Sequence, residues 1–366
     1  MTDPGAPRHG MMHSTAPSGG AIAGTDPGSA ALLQEADLAY ESGVEVKARS
    51  QWQYVRMRFF RHKAAVAGLI VLILFALVAI FAKQLAPYGY DEINLETVDP
   101  ETGLALSPRL DDWHIFGTDQ LGRDYLSRII YGIRTSLWVA VFVALLSTFI
   151  GTLVGAVSGY YGGVTDNVLM RFTDLLLTLP GLAVLLTAAV YLGSNDSEIN
   201  ELNIPLGFTT LTIPLPFTVP LPQPLKIGLI LAFLFWVGLA RIVRGLFLSL
   251  REKEFVEAAK AAGASDMRII VRHILPNCVG PIVVFTTLIV AAAILTEAAL
   301  SFIGYGIQPP NAALGKLIVD GQSEGFTLWW LVVFPGLIIT IIALAINFVG
   351  DGLRDALDPT QRRVRS

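Results

Sequence analysis

Residues 64–82 read AAVAGLIVLILFALVAIFA, an apolar run without a charged side chain. A transmembrane helix needs about 20 predominantly apolar residues, so this run is long enough to cross a bilayer. Across the chain, 53% of the 366 residues are hydrophobic and 15% are charged, whereas soluble domains contain about 25% charged residues. We therefore expect an integral membrane protein.

Five further apolar segments follow this run. None of the segments alternates apolar and polar residues as the strands of a membrane β-barrel do. The expected fold class is an all-α integral membrane protein with six transmembrane helices. The predicted spans are residues 64–82, 137–157, 175–192, 227–239 (or on toward 248), 282–302 and 328–349.

Lysine and arginine residues cluster beside three groups of span ends. Basic residues close to the spans are retained on the cytoplasmic side. With six spans and a cytoplasmic N-terminus, all three clusters lie inside, while Arg123, Arg128 and Arg134 lie outside. We therefore expect both termini in the cytoplasm. The clusters fall within residues 47–63, 251–272 and 354–365.

This topology divides the chain into five parts. The first 45 residues are rich in Gly, Ser, Pro, Thr and Ala, without an apolar period, and are expected to be disordered. They do not form a signal peptide, since no apolar core follows a basic start. The parts are the tail 1–45, a cytoplasmic pre-membrane segment 46–63, the first span with its external loop 64–136, the membrane core 137–350, and a cytoplasmic C-terminal tail 351–366.

A proline-rich stretch, IPLPFTVPLPQPLK, ends the predicted external segment 193–226. Repeated prolines disfavour a helix and favour extended or turning chain. A plain surface loop is the favoured interpretation, and a short exposed hairpin or a rim over a pore mouth is the alternative.

The stretch EFVEAAKAAGASDMRIIVRHILPN, residues 254–277, is rich in charge and alanine and lies between two apolar spans. Ser249 followed by Glu252 fits a capping box, which predicts a helix through residues 251–262. Gly263 is placed to end that helix in a left-handed conformation. Ser265 and Asp266 then cap a second short helix, residues 267–275, which Pro276 stops. The pattern predicts a cytoplasmic helix-turn-helix, which either binds another protein or packs on lipid.

The pattern Glu257-Ala258-Ala259, Gly263 and Leu275-Pro276 resembles the EAA loop of permease subunits in bacterial ABC importers. In that family, the loop docks into the ATP-binding subunit. The sequence Arg272–Asn277 (RHILPN) is similar to that of the peptide-permease branch, although His273 replaces the family's usual aliphatic residue. Under this resemblance, the chain lies in the inner membrane of a bacterial cell and residues 249–277 form a coupling loop. Its candidate residues are Glu257, Ala258, Ala259, Gly263, His273, Leu275 and Pro276.

Three other stretches resemble the C-type permeases of dipeptide and oligopeptide importers. They are FGTDQLGRDYLSRIIYGIRTSL (116–137), VLMRFTDLLLTLPGL (168–182) and ILTEAALSFIGYGIQPP (294–310). The last departs from the family pattern, because Ala313-Leu314-Gly315 stands where Ser-Trp-Gly is usual. The resemblance implies a second homologous permease, two ATP-binding cassette subunits, an extracytoplasmic binding protein and a peptide substrate as partners, besides membrane lipid.

Charged residues suggest two further candidate sites. The predicted external segment contains Gly117, Asp119, Gly122, Arg123 and Asp124, whose charges form a local ion pair or contribute to substrate selection. Glu297 is an acidic residue well inside a span, where a carboxylate is costly. It either lines the translocation path or makes a structural hydrogen bond, and the second interpretation is favoured.

Other polar residues have simpler interpretations. Asp174 is expected to pair with Arg171, three residues away on one helix face. Arg241 and Arg244 are expected to anchor the cytoplasmic end of the fourth span, near phosphates or a partner's acidic groups. Cys278 is expected to be a small packing residue rather than a reactive thiol.

Several classes of function are disfavoured. No Gly-x-x-x-x-Gly-Lys-Ser/Thr loop is present, so ATP and Mg²⁺ are expected on partner subunits and no cofactor on this chain. No catalytic constellation or metal site is recognised, and a net charge of -4 argues against a nucleic-acid partner. Two alternatives stay open: a permease for nickel chelates or another small solute, and an ion-coupled secondary transporter, although its typical internal repeat is not seen.

Overall fold

The computed structural model describes residues 51–93, 105–108, 114–192, 201–206, 209–214, 221–309, 311–323 and 327–357. The predicted disordered tail and the end of the C-terminal tail lie outside these residues. The helices are α1 Gln51–Arg61, α2 Lys63–Ile80, α3 Ala82–Leu85, α4 Tyr125–Tyr161, α5 Gly163–Thr178, α6 Gly181–Leu192, α7 Gln223–Leu250, α8 Glu254–Ala261, α9 Asp266–Arg268, α10 Leu275–Phe302, α11 Leu314–Gln322 and α12 Trp330–Leu357; the strands are β1 Glu201–Leu206 and β2 Thr209–Pro214.

The long apolar helices confirm the predicted fold class. Within the described residues, five helical segments are long and apolar enough to cross a membrane, and a bent pair, α5 with α6, makes six if it counts as one span. The fourth of the five segments runs from Asp266 to Phe302 and so includes α10. The protein is an all-α, multi-pass membrane protein, and its described residues include one small hairpin between α6 and α7.

Helix α4 begins at Tyr125, twelve residues before the predicted second span at 137–157, so part of the predicted external loop is helical. Its polar first turns were assigned to the external loop, but they continue the helix. Helix α4 packs most extensively on α7, because glycines let the two backbones approach. A Cβ on Gly155 would lie 2.5 Å from the carbonyl oxygen of Ala240.

The third span is broken, in contrast to the single helix predicted over residues 175–192. Helices α5 and α6 meet at an angle of 83°. The break falls at Leu179, which is extended with ψ 136. Proline disfavours a helical conformation in the residue before it, so Pro180 accounts for the break.

The external segment between α6 and α7 contains an antiparallel hairpin in which Glu201 pairs with Pro214 and Leu206 with Thr209. The hairpin shares only Ile213 and Pro214 with the proline-rich stretch, and residues 215–220 of that stretch lie outside the described residues, so the choice between a loop, a hairpin and a rim stays a prediction. A helix also begins inside the proline-rich stretch, although its prolines were expected to disfavour one. Helix α7 begins at Gln223 with a proline in its first turn, where the missing N–H has no partner to lose.

Candidate functional sites

Helix α8 forms the first half of the EAA segment, residues 249–277. Helix α7 continues through Leu250, so Ser249 lies in its last turn and the predicted capping box with Glu252 is wrong. Helix α8 starts at Glu254, and its N-cap residue Lys253 makes no side-chain capping bond. Continuation of α7 removes the free helix start that the box requires.

Gly263 ends α8 in the left-handed conformation predicted for it, with φ +80. Its N–H donates to the carbonyl oxygen of Lys260 at 2.9 Å, and the N–H of Ala264 donates to that of Ala259 at 3.0 Å. This pair of bonds is the Schellman motif, which satisfies carbonyls at the end of a helix. Gly263 therefore fixes a sharp turn between the two halves of the segment.

The second half differs from the short helix predicted over residues 267–275. Helix α9 covers only Asp266–Arg268, and the π-helical turn Ile269–Ile274 leads directly into α10. Pro276 is in the first turn of α10 and does not stop the helix. Proline is tolerated in the first turn of a helix, where its missing N–H has no partner to lose, and Asp266–Phe302 forms one long helical segment.

The EAA segment has an inner face that is buried against the rest of the protein and an outer face that is exposed. Val256, Ile269 and Ile274 are fully buried. Three large apolar side chains, Phe255, Met267 and Val271, are 41%, 69% and 52% exposed. Of the candidate coupling residues, the exposed ones are Glu257, Ala258, Gly263 and Pro276, and the half-buried ones are Ala259, His273 and Leu275. Their role in coupling stays a prediction.

The end of α4 contacts the EAA segment through groups that the sequence did not single out. The hydroxyl of Tyr160 donates to Oδ1 of Asp266 at 2.6 Å, and Lys260 Nζ lies 5.9 Å from the centre of the Tyr160 ring. Arg251 Nη1 donates to the carbonyl oxygens of Gly159 and Tyr160 at 3.3 Å. The segment is thus attached to α4 at both of its halves.

Two ion pairs join α5 to α7 near the same end of the bundle. Arg244 donates through Nε and Nη2 to both carboxylate oxygens of Asp166, and Arg241 donates to Asp174. The predicted pairing of Asp174 with Arg171 is wrong, because Asp174 contacts the neighbouring helix instead. Arg241 and Arg244 lie inside α7 rather than at its end, and acidic groups of this chain are their partners.

Asp119 organises the turn that precedes α4. Its Oδ1 accepts from the N–H groups of Leu121 and Arg123 at 3.0 Å, and its Oδ2 accepts from Arg123 Nε at 2.7 Å. Gly117 and Gly122 adopt φ 75 and φ 71, which allow the tight turns on either side. The predicted local ion pair is therefore present.

Asp124 caps α4 instead of pairing with an arginine. Its Oδ2 accepts from the N–H of Ser127 at 2.7 Å, and this bond satisfies one of the free donors at the helix start. Its Oδ1 is hydrogen-bonded to Nδ1 of His114 at 2.9 Å, and Tyr88 stacks on that imidazole. The cap explains why the helix begins at Tyr125.

Arg128, which was predicted to lie outside the membrane but was not among the candidate site residues, joins this turn to α11. Its Nη1 donates to Asp119, its Nη2 lies 3.6 Å from Asp320, and Lys316 lies 2.9 Å from the same Asp320 carboxylate. Its side chain is 5% exposed. We call Asp119, Arg123, Arg128, Lys316 and Asp320 the Asp119 network; it lies at the opposite end of α4 from the EAA segment.

Glu297 is buried between three helices. Its Oε2 accepts from the hydroxyl of Ser136 on α4 at 3.1 Å, and its Oε1 accepts from that of Ser301 on α10 at 2.8 Å. The Ser136 hydroxyl in turn accepts from the N–H of Leu314 on α11 at 3.2 Å. These bonds agree with the structural interpretation; a place on the translocation path stays untested.

Membrane-crossing helices around a packed interior, with a short helical segment exposed between two of them, are the features of a multi-pass membrane protein. Residues 151–363 match the family of binding-protein-dependent transport system inner membrane components. Residues 50–108 match the N-terminal transmembrane domain of oligopeptide transport permease C. The chain belongs to this family of binding-protein-dependent transport permeases, which confirms the resemblance seen in its sequence.

Individual relatives cover most of the chain. The oligopeptide transport system permease protein OppC of Escherichia coli K12 is 39% identical over 323 residues, which are 88% of this chain and 96% of the relative. The protein of the same name from Mycobacterium bovis is 38% identical over 308 residues, 84% of this chain and 94% of the relative. A putative peptide transport system permease protein of Brucella abortus is 37% identical, with 82% and 90% covered.

Proposed function

We propose that this chain is a permease subunit of an ATP-driven peptide importer. It encloses the translocation path together with a second, homologous permease, and two ATPase subunits bind its EAA segment. An extracytoplasmic binding protein delivers the peptide. ATP and Mg²⁺ are held by the ATPases, and this chain itself binds no cofactor. The observation that carries the proposal is the exposed outer face of an EAA segment whose inner face is fixed to the bundle.

The relatives support a peptide as the cargo. Two of them are named for oligopeptide transport and one for peptide transport, and each aligns with more than four-fifths of this chain. Uptake assays with a labelled peptide and with a nickel chelate, in the same vesicles, separate peptide import from the alternative in which the family's fold carries another solute.

The distribution of basic residues supports the proposed orientation. The EAA segment contains Lys253, Lys260, Arg268 and Arg272, and basic residues near span ends are retained in the cytoplasm. An even number of spans then places both termini on that side, where the ATPases operate. Labelling of cysteines introduced at each terminus, from one side of the membrane at a time, tests this orientation.

The contacts of the EAA segment support a mechanical mode of coupling. A partner that displaces α8 acts on the turn at Gly263 and on the bonds that link Lys260 and Asp266 to Tyr160. Because Tyr160 belongs to α4, the displacement reaches a membrane span directly. In this proposal, closure of the ATPase pair moves the EAA segment and switches the path between its inward-facing and outward-facing states.

Co-purification from membranes in mild detergent, followed by mass spectrometry, tests the partners. Recovery of two ATPases and a second permease supports the proposal. Recovery of this chain alone, or as a complex with itself only, refutes the importer assignment and favours a secondary transporter.

Gly263→Pro tests the coupling role in the assembled complex. Proline fixes φ near −65°, which is incompatible with φ +80 at this position, and it removes the N–H that donates to Lys260. We expect peptide uptake to be lost while the subunits still assemble. Gly263→Asn is the matched control, since asparagine tolerates the left-handed conformation, and it should keep most of the uptake. Normal coupling of ATP hydrolysis to uptake in the proline variant would exclude this segment as the coupling element.

A further inference from the structure

The exposed side of α5 carries two stripes of opposite character, one polar and one apolar. In a helix, residues that are three, four or seven positions apart lie on one face. The side chains of both stripes are exposed. The polar stripe consists of Asn167, Arg171, Asp174 and Thr178, and the apolar stripe consists of Val164, Val168, Phe172 and Leu175.

The ion pair of Asp174 with Arg241 lies at the depth of the hydrocarbon. Helix α7 has 18 residues from its first residue, Gln223, to Ala240, and they rise about 27 Å. The hydrocarbon is about 30 Å thick, so it reaches Arg241 even when Gln223 lies at the opposite boundary. A tilt of α7 would place Arg241 deeper still. The pair is therefore inside the membrane, in the half nearer the EAA segment.

This ion pair does not face lipid. Both of its side chains are about half exposed, and charged side chains inside a membrane face the bundle interior or a water-filled cavity, because contact with hydrocarbon is costly. An arginine near a boundary can extend to the headgroups, but Arg241 donates instead to Asp174. Water or another protein therefore covers the pair.

Arg171 favours water over a dry protein interface as the cover. It lies one turn before Asp174 on the polar stripe and is exposed, yet it forms no ion pair with any described residue. A dry interface over the stripe would bury this charge without a partner from this chain, and an uncompensated buried charge is strongly destabilising. A water-filled cavity leaves the guanidinium hydrated.

We propose that the polar stripe, together with Arg241, lines a water-filled part of the translocation path and holds the terminal carboxylate of a passing peptide. The charges of Arg171, Asp174 and Arg241 leave one positive charge in excess. The terminal carboxylate is the group of every unmodified peptide that complements this charge. The inference rests on the proposed function, but the cavity and its charge are tested without a peptide.

Cysteine modification of the assembled complex in phosphatidylcholine–phosphatidylglycerol nanodiscs tests the cavity. Cys278, the single cysteine, is buried, and a Cys278→Ala background leaves each introduced thiol as the only one in this chain. Thr178→Cys places a thiol on the polar stripe. Leu74→Cys is the matched control, since Leu74 is also exposed and lies on α2, the least buried of the membrane-crossing helices described. It is as far from the start of α2 as Asp174 is from the start of α5.

Two water-soluble reagents with the same reactive group, sulfonatoethyl and trimethylammonioethyl methanethiosulfonate, report access and charge. We expect both to modify Thr178→Cys many-fold faster than Leu74→Cys. After division by its rate with a free thiol in solution, the anionic reagent should be favoured several-fold at Thr178→Cys, because the excess positive charge attracts it. Arg171→Gln should abolish this preference, and Arg171→Lys, which keeps the charge, should retain it.

Modification of Thr178→Cys no faster than that of Leu74→Cys would overturn the proposal, because lipid or a dry interface would then cover the stripe. A preference for the anionic reagent that survives Arg171→Gln would overturn the charge assignment.

Uptake of a peptide and of its C-terminal amide tests the carboxylate itself. We expect the preference for the free acid to fall several-fold in Arg171→Gln and to persist in Arg171→Lys, and an unchanged preference in Arg171→Gln would refute this part. If the unmutated chain imports neither compound while Thr178→Cys reacts as expected, the proposed function fails and the water-filled cavity stands.

Discussion

Arg128→Met tests how much the Asp119 network stabilises the protein, and Arg123→Met, in the same network, is its control. Arg123 and Arg128 donate to the same carboxylate, that of Asp119, but their side chains are 16% and 5% exposed. Removing one member of a buried ion pair typically costs about 3–5 kcal/mol, because the other charge stays buried. In Arg128→Met, the carboxylate of Asp119 keeps its two backbone donors and Arg123, so we expect the free energy of unfolding to fall by about 3 kcal/mol, the lower end of this range. Arg123→Met should cost about 1 kcal/mol, since its group is more accessible to water.

The difference of about 2 kcal/mol corresponds to a factor of about 30 in the unfolding equilibrium constant. Reversible unfolding in mixed micelles, titrated with dodecyl sulfate, measures both free energies. If the cost comes from the stranded carboxylate, then Asp119→Asn combined with Arg128→Met should be less destabilised than Arg128→Met alone. Equal costs for the two arginine variants, or no recovery in the double variant, would refute the reasoning.

Two further substitutions test contacts between the spans. Gly155→Leu should prevent close packing of α4 on α7, because its Cβ would meet the carbonyl oxygen of Ala240 at 2.5 Å, and we expect the free energy of unfolding to fall by about 3 kcal/mol or more. Gly245→Leu is the control, since Gly245 faces open space, and it should change this free energy little. Similar losses for the two variants would contradict the packing. Asp166→Asn should weaken the double contact with Arg244 and lower the free energy of unfolding by about 1 kcal/mol, since the ion pair is partly exposed. The same unfolding titration measures this change. An unchanged free energy would mean that the ion pair does not stabilise the protein.

The features predicted correctly from the sequence are those that depend on neighbouring residues. Helix α2, Lys63–Ile80, starts one residue before the uncharged run at 64–82 and ends two residues before the end of that run, because length and apolarity alone decide whether a helix can cross a bilayer. The left-handed turn at Gly263 was predicted because a glycine after a run of helix-forming residues is the usual end of a helix.

The features that were missed depend on residues far apart in the chain. Tyr160 and Asp266 are separated by 106 positions, and neither belongs to a pattern that would connect them. The early start of α4 has a local cause, the cap at Asp124, but the polar residues after it were interpreted as loop. Their burial against α11, through Arg128 and Asp320, makes a polar helical turn favourable at that position.

The uninterrupted length of α4 has a consequence for timing. Its 37 residues extend about 55 Å, against about 30 Å of hydrocarbon. Even at a tilt of about 40°, the helix rises beyond the hydrocarbon. Helices α10 and α12 each contain an internal proline, whereas α4 contains none. In the proposed mechanism, a shift at Tyr160 would therefore reach Asp124 along one helix that no proline interrupts, and events on the two sides of the membrane would be synchronised.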